Sequence, residues 1–327
     1  MGNVCLKNQQ RSILFCNDIN KKKKTKKLLE WNSNYPTIEY HWWPMKMTFE
    51  TDTLNNLYSK GGGLYLYDKL FNTKSVEYQK KNYMISSDSK RSDKNWAGFC
   101  DKATMLSCLY QYPKNNVIVK YKSKKVKFTK KNIEMLMIIS SENAIESGCF
   151  LFLGKRFNNK PLYGEDKNEP YPLDLLHMLK IISLEKEPFA IDIDNGTSVW
   201  NYAFDKILVF KSSECSMNHT KPDTTYVEYY NFIIKSNAYP DKNIDIWGYI
   251  GFNDIKDYNN KINIKQGWIS EKHPDFIWKS YKLQKVWEGP CKVNPQIDAQ
   301  IVHAIYKHSL KDSNKELDLG HFDVLFR

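Results

Sequence analysis

Cys100 has the sequence context that most invites chemistry. It follows Trp96-Ala97-Gly98-Phe99, and Phe99, Ala103, Leu106 and Tyr110 then recur at helical spacing until Pro113. This predicts a helix over 100–111 with the thiol at its start. There the thiol meets the positive end of the helix dipole and unpaired backbone N–H groups, both of which favour the reactive thiolate. The same N–H groups, joined by a side-chain donor, can hold an oxyanion. Lys94, six residues before the thiol, and its neighbour Asn95 are candidate donors.

A thiol nucleophile needs a base, and the base needs an orienting partner. His177 sits in the apolar stretch Leu175-Leu176-His177-Met178, which is expected to be buried. Downstream, residues 188–194 read as a strand with Asp192 and Asp194 on one face, stopped by the turn signal Asn195-Gly196. The order Cys100, His177, Asp192 is that of papain-like thiol enzymes, which use Cys-His-Asn or Cys-His-Asp. A structural thiol, a core histidine and an ordinary strand end fit the same spacing, and spacing alone leans slightly towards them. His273 is the rival base, but the following Pro274 pushes it towards extended backbone and a surface loop. His303 and His308 fall on a C-terminal helix, and His41, His219 and His321 have no supporting pattern.

The elements needed to position these groups are also legible. A second helix is expected over 130–140, with Ile133, Leu136 and Met137 on one face. Short strands are expected at 148–153 and 188–194, and antiparallel strands at 225–235 and 244–252. Asn294 reads as a helix cap with Pro295 at the first position and an Ile297, Ile301, Ile305 stripe behind it. Trp42-Trp43-Pro44 reads as buried, and Gly61-Gly62-Gly63 as a loop without a phosphate-binding context. A helical front before a β-rich middle predicts an α+β fold. At 327 residues and 41% hydrophobic content, the chain can bury a sizeable core.

Seven cysteines, with no CxxC pair, signal neither a zinc site nor a disulfide framework, so no metal is expected. A reducing, intracellular setting fits, and no apolar leader of a secretory signal is seen. The net charge of +12 gathers in Lys21–Lys24 with Lys26 and Lys27, and again in Lys122, Lys124, Lys125, Lys127, Lys130 and Lys131. No nucleic-acid-binding motif accompanies these blocks, so nucleic acid is not the expected partner. Residues 1–35 read as a basic tail ahead of a domain spanning 36–327. Gly2 and Cys5 could carry acyl chains, and the lysines would then rest on an anionic membrane surface. Position 6 is Leu6, which departs from the usual acylation pattern, and a plain solvated tail fits as well.

Four stretches, in order, resemble the transglutaminase-elicitor family. Asn95-Trp96-Ala97-Gly98-Phe99-Cys100 with Ala103 is similar to its nucleophile segment, and Phe152-Leu153-Gly154-Lys155-Arg156-Phe157-Asn158, with Tyr163-Gly164 after it, to its G-x-R-F-N element. Val199-Trp200-Asn201 is similar to its V-W-N segment, and Gly267-Trp268 with His273-Pro274-Asp275-Phe276-Ile277-Trp278 to its G-x-W and H-P-D-F-L-W segment. The sequence departs from the family at Asp101, at Glu169–Asp174 and after Asn201. The resemblance implies a papain-like core whose antiparallel sheet carries His177 and Asp192, with Asp194 as support or alternative partner. It also implies protein-glutamine γ-glutamyltransfer without a cofactor, calcium dependence being left open. A Gln-bearing protein would acylate Cys100, and a Lys amine would take the acyl group. Lys94, Asn95 and Asn201 would line the substrate site, and Trp96 and Trp200 would wall it. A protease or deamidase on the same scaffold, and an inactive membrane-associated binding module, are the alternatives.

Overall fold

The computed structural model describes residues 25–46, 56–85, 97–154, 169–193, 199–218, 220–311 and 316–322. Among them lie twelve strands and seven α-helices. The first half runs β1 (Thr25–Asn32), α1 (Gly63–Phe71), α2 (Ser75–Tyr83), α3 (Cys100–Leu109), β2 (Val117–Tyr121), β3 (Lys124–Phe128), α4 (Lys130–Ile139), β4 (Ile145–Gly154) and α5 (Pro172–Glu185). The second half runs β5 (Phe189–Asp192), β6 (Asn201–Phe204), β7 (Lys206–Ser212), β8 (Tyr226–Lys235), β9 (Ile244–Phe252), α6 (Ile255–Asn260), β10 (Lys265–Trp268), β11 (Phe276–Lys282), α7 (Ala299–Ser309) and β12 (Leu317–Asp318). The expected α+β class is what the chain adopts. No helix of the described residues is long and apolar enough to cross a membrane.

The strands form three sheets, ordered β1-β7-β8-β9-β10, β4-β11-β5-β6 and β12-β2-β3. The four-stranded sheet is antiparallel throughout and separates two apolar cores. Period-two alternation decides which side chain goes where. Ala190, Ala203, Phe276 and Trp278 join the first core, with α3, α4 and α7. Phe189, Ile191, Phe204 and Ile277 join the second core, with α5 and the inner face of the five-stranded sheet. Helix α4 is buried on every side: Met135, Ile138 and Ile139 are as fully buried as the expected stripe of Ile133, Leu136 and Met137. Its start is a capping box, with Thr129 Oγ1 accepting from the Asn132 N–H and Asn132 Oδ1 accepting from the Thr129 N–H at 2.9 Å.

Two expectations need correction. Part of the supposed tail is structural. Residues 25–32 form β1, which pairs antiparallel with β7, and Trp31 is buried against Phe189 with ring centroids 5.9 Å apart. The lysine-rich stretch masked the alternation that puts Trp31 inside. The C-terminal helix starts at Ala299, capped by Asp298, whose Oδ1 accepts from the Gln300 N–H at 2.8 Å. Asn294 is instead buried, donating to the Ser75 carbonyl and to Gln79 Oε1. Residues 1–24, including Gly2 and Cys5, lie outside the described residues.

Where the chain passes from β6 to β7, the buried Asp205 carboxylate collects four donors. Thr37 N and Oγ1 lie at 2.7 and 2.8 Å, and Asn237 N and Nδ2 at 3.3 and 2.9 Å. This network ties the N-terminal segment to the junction of two sheets. Because Trp31 clips β1 to the second core, Trp31→Ala should cost about 3–5 kcal/mol, read as a lowered denaturant midpoint; an unchanged midpoint would make β1 dispensable.

His303 on α7 stacks on the fully buried Trp287, with centroids 5.0 Å apart and planes 23° apart. Burial, reinforced by the like charges of Lys307 and Lys282, holds its pKa down to about 4 from 6.5. Between those values the unfolded chain binds the extra proton, so stability falls as pH drops from 6.5 towards 4 and is restored as it rises. In that window the thermal midpoint of the wild type should fall more steeply than that of His303→Gln. Parallel curves would clear His303 of the effect.

Candidate functional site

The site is built from three segments. The first is the start of α3. Cys100 is its first residue, and the strand-like segment before it is clamped by the Trp42–Met45 segment. Phe99 N donates to Trp42 O at 2.6 Å, Met45 N donates to Ala97 O at 3.0 Å, and Pro44 bridges Gly98. A side chain at Gly98 would overlap the Trp42 ring, which is why glycine stands there.

The clamp is itself held from α4. Glu134 accepts from the His41 N–H, from Tyr112 OH at 3.0 Å and from Lys131 Nζ at 2.8 Å. Lys131 also lies over the ring of the fully buried Trp43, whose φ of +42° is a costly backbone for a residue ahead of proline. The buried charge of Glu134, matched by these donors, fixes that strained turn.

The second segment is the face of β5 and β6 that looks at α3. Asp192 and Asn201 are register partners there, and both side chains are buried. Asn201 Oδ1 accepts from Trp278 Nε1 at 2.7 Å, which turns its Nδ2 towards the Cys100 sulfur at 3.9 Å. The thiol donates to the Val199 carbonyl at 3.3 Å. Thr104 Oγ1 ties α3 to the Asn201 carbonyl at 2.8 Å, and the Trp200 N–H donates to Asp192 Oδ1 at 3.2 Å.

The third segment is an aromatic wall on β4 and β11. Phe150 and Phe152 stack on each other at 5.7 Å, Phe150 lies 5.9 Å from Trp278, and Phe152 lies 5.3 Å from Phe276. The two β4 rings are 53% and 45% exposed, so half of this wall faces an open cleft. The cleft encloses about 670 Å³, with Cys100 on its floor and the Asp101, Lys102 and Glu142 charges at one side. Lys102 Nζ pairs with Glu142 at 2.7 Å and lies 3.4 Å from Asp101. Among the described residues no group of three or more His, Cys, Asp or Glu is placed to hold a metal.

The expected triad does not assemble. Leu175, Leu176, Leu179 and Ile182 of α5 pack into the second core, on the face of the sheet opposite Cys100. His177 falls between them on the solvent side and is exposed. Leu175, Leu176 and Met178 lie towards the buried side of a helix, and a 100° step per residue carries His177 outward. Lys279, the β11 neighbour of Trp278, points to the α5 side and pairs there with Glu185 and Glu187. A whole sheet therefore stands between the imidazole and the sulfur.

His273, the rival base, stacks on Trp268 at 5.5 Å and bonds to Glu169 through Nε2, away from the cleft. Trp200 does not wall the cleft either. It packs edge-on against Trp42 at 5.4 Å, behind the lining residue Val199. Lys94, Asn95, Trp96 and Asp194 lie outside the described residues, as do Lys155–Asn158. Thus the structure joins Cys100, Asp192 and Asn201 and leaves His177 out. Sequence reasoning missed the Phe150 and Phe152 wall, whose signal was the alternating Phe-x-Phe in an expected strand. It also missed Glu134, which carries no local signal.

Among the described residues, the surroundings of the Cys100 thiol hold its pKa above the ordinary value. Burial pushes the Cys100 pKa up, the Asn201 backbone and amide groups pull it back, and the nearby Asp101 and Asp192 charges raise it further. The helix start does not overcome these effects. Comparison with known proteins returns nothing: no protein-family model, no curated protein and no solved structure matches this chain. Alkylation of Cys100 by iodoacetamide, followed by mass spectrometry across pH, should therefore become fast only above the range of a free thiol. Asn201→Leu should move the transition higher still. Full reactivity already below neutral pH would refute this electrostatic account.

Proposed function

We propose that this chain is a polypeptide-binding protein whose Cys100 cleft receives an extended segment alongside β4. One observation carries the reading: two half-exposed phenylalanines stand on a ten-residue strand at the edge of its sheet, beside an open cleft. An edge strand offers unpaired backbone donors and acceptors to an incoming strand, and alternate side chains of that strand can enter adjacent pockets. Here the pocket is aromatic, with a polar floor made by Asn201 and the Val199 carbonyl. A ligand with an apolar or aromatic side chain flanked by extended backbone suits it. The thiol is a bystander on the floor in this reading, its proton already donated to Val199 O.

A second reading, thiol acyl transfer in a papain-like layout of the transglutaminase-elicitor type, is favoured by a different observation. Cys100 opens α3 and faces the Asn201 amide, with the Asp192 carboxylate on the adjoining strand. In that chemistry the sulfur attacks a Gln carboxamide, ammonia leaves, and a Lys amine takes the acyl group from the thioester. The Asn201 amide and the N–H groups of α3 would face the oxyanion. The proton of the thiol would then have to leave without His177.

Binding of short synthetic peptides to the full chain, followed by fluorescence anisotropy, separates the two. We expect Phe150→Asp with Phe152→Asp to weaken the best peptide roughly tenfold or more, about 1.4 kcal/mol or more. Cys100→Ala should leave its affinity within about twofold. Unchanged binding in the aspartate variant, with its thermal midpoint preserved, would sink the binding reading. Incorporation of a fluorescent amine into a Gln-bearing protein, lost in Cys100→Ala and retained in His177→Ala, would establish acyl transfer without the expected histidine.

A further inference from the structure

We propose that the β2–β3 hairpin is a docking face for an anionic phospholipid surface, independent of the cleft and of the N-terminal lysines. The hairpin is amphipathic by period two. Val117, Val119, Val126 and Phe128 point into the first core, and Lys120, Lys122, Lys124, Lys125 and Lys127 are exposed. The register pairs Lys120 with Lys125 and Ile118 with Lys127, so Lys120, Lys125 and Lys127 share the outward face. Lys130 extends the exposed patch at the start of α4, and Lys124 Nζ reaches the Lys69 carbonyl at the end of α1, at 3.0 Å.

Carboxylates neutralise the patch in part. Lys125 pairs with Glu316, and Lys120 lies 3.4 Å from Asp318. Lys122, Lys127 and Lys130 have no carboxylate partner among the described residues. Their charge is therefore available to a partner.

The chemistry of the face selects that partner. Tyr121 and Phe128 point inward and are buried, so no ring of the hairpin is left for nucleic-acid bases to stack on. Residues 117–131 contain seven lysines and no arginine, so the bidentate fork that reads individual phosphates is missing. Lysines act as point charges and suit the diffuse negative potential of a lipid headgroup layer. No large apolar side chain stands out at the hairpin tip to insert. The attachment is then peripheral and reversed by salt.

The test uses the full chain with Lys21–Lys24, Lys26 and Lys27 changed to Gln in every sample, which removes the N-terminal block from the comparison. Sedimentation with phosphatidylcholine vesicles containing phosphatidylserine should capture the protein at low salt and release it at high salt. Vesicles of phosphatidylcholine alone should leave it in solution. Adding Lys122→Glu, Lys127→Glu and Lys130→Glu should weaken capture roughly a hundredfold, with the thermal midpoint held. Failure to bind the anionic vesicles, or equal capture of the triple variant, would overturn the proposal. So would tighter binding to duplex DNA than to the vesicles at the same salt.

Discussion

The candidate site depends on one geometric constraint: side chains along a strand alternate between the two faces of its sheet. In β5, Phe189 and Ile191 go to one core while Ala190 and Asp192 go to the other. In β11, Ile277 and Lys279 face α5 while Phe276 and Trp278 face the cleft. In β5 and β6 the larger, more apolar side chains are buried against the second core, which leaves Asp192 and Asn201 on the α3 side, facing the same way as Phe276 and Trp278. A shift of one residue in any of these strands would exchange the two faces and dissolve the site.

The same constraint explains the electrostatics of Cys100. A helix start favours an anion by roughly 0.3–1 kcal/mol at an exposed position, and one pKa unit corresponds to about 1.4 kcal/mol. Burial between α3 and the sheet works against the thiolate, and the carboxylates of Asp101 and Asp192 add to that opposition. Contacts from Asn201 offset part of it. Desolvation wins: among the described residues that line the cleft, Lys102 is the only lysine and there is no imidazole. Lys102 is near in sequence, but it is spent on Glu142 and Asp101.

Two buried carboxylates organise the rest without touching the cleft. Glu134 holds the Trp42–Met45 clamp that seats the start of α3, and Asp205 binds the N-terminal segment to the junction of the two large sheets. Each gathers several donors around one charge, and this is what makes burying it tolerable. Together they turn segments distant in sequence into one support for the Cys100 loop.

Much of the fold was legible because its signals are local. The helix over 100–111 appears as α3 with the thiol at its first position, since Phe99, Ala103, Leu106 and the terminating Pro113 act over a few residues. The same holds for α4 and for β8 and β9, which lie close to their expected bounds. The α+β class could likewise be anticipated from the order of helical and β-rich stretches. What the amino-acid order could not decide was the side of a sheet. Leu175-Leu176-His177-Met178 reads as buried by composition, yet which flank of α5 meets the core depends on where Leu179 and Ile182 find partners. The pairing of β1 with β7, the seating of Asn294 beneath α2, and the gathering of donors at Glu134 have the same origin. They are contacts between residues far apart in the chain, and only the packed tertiary structure brings their energies into play.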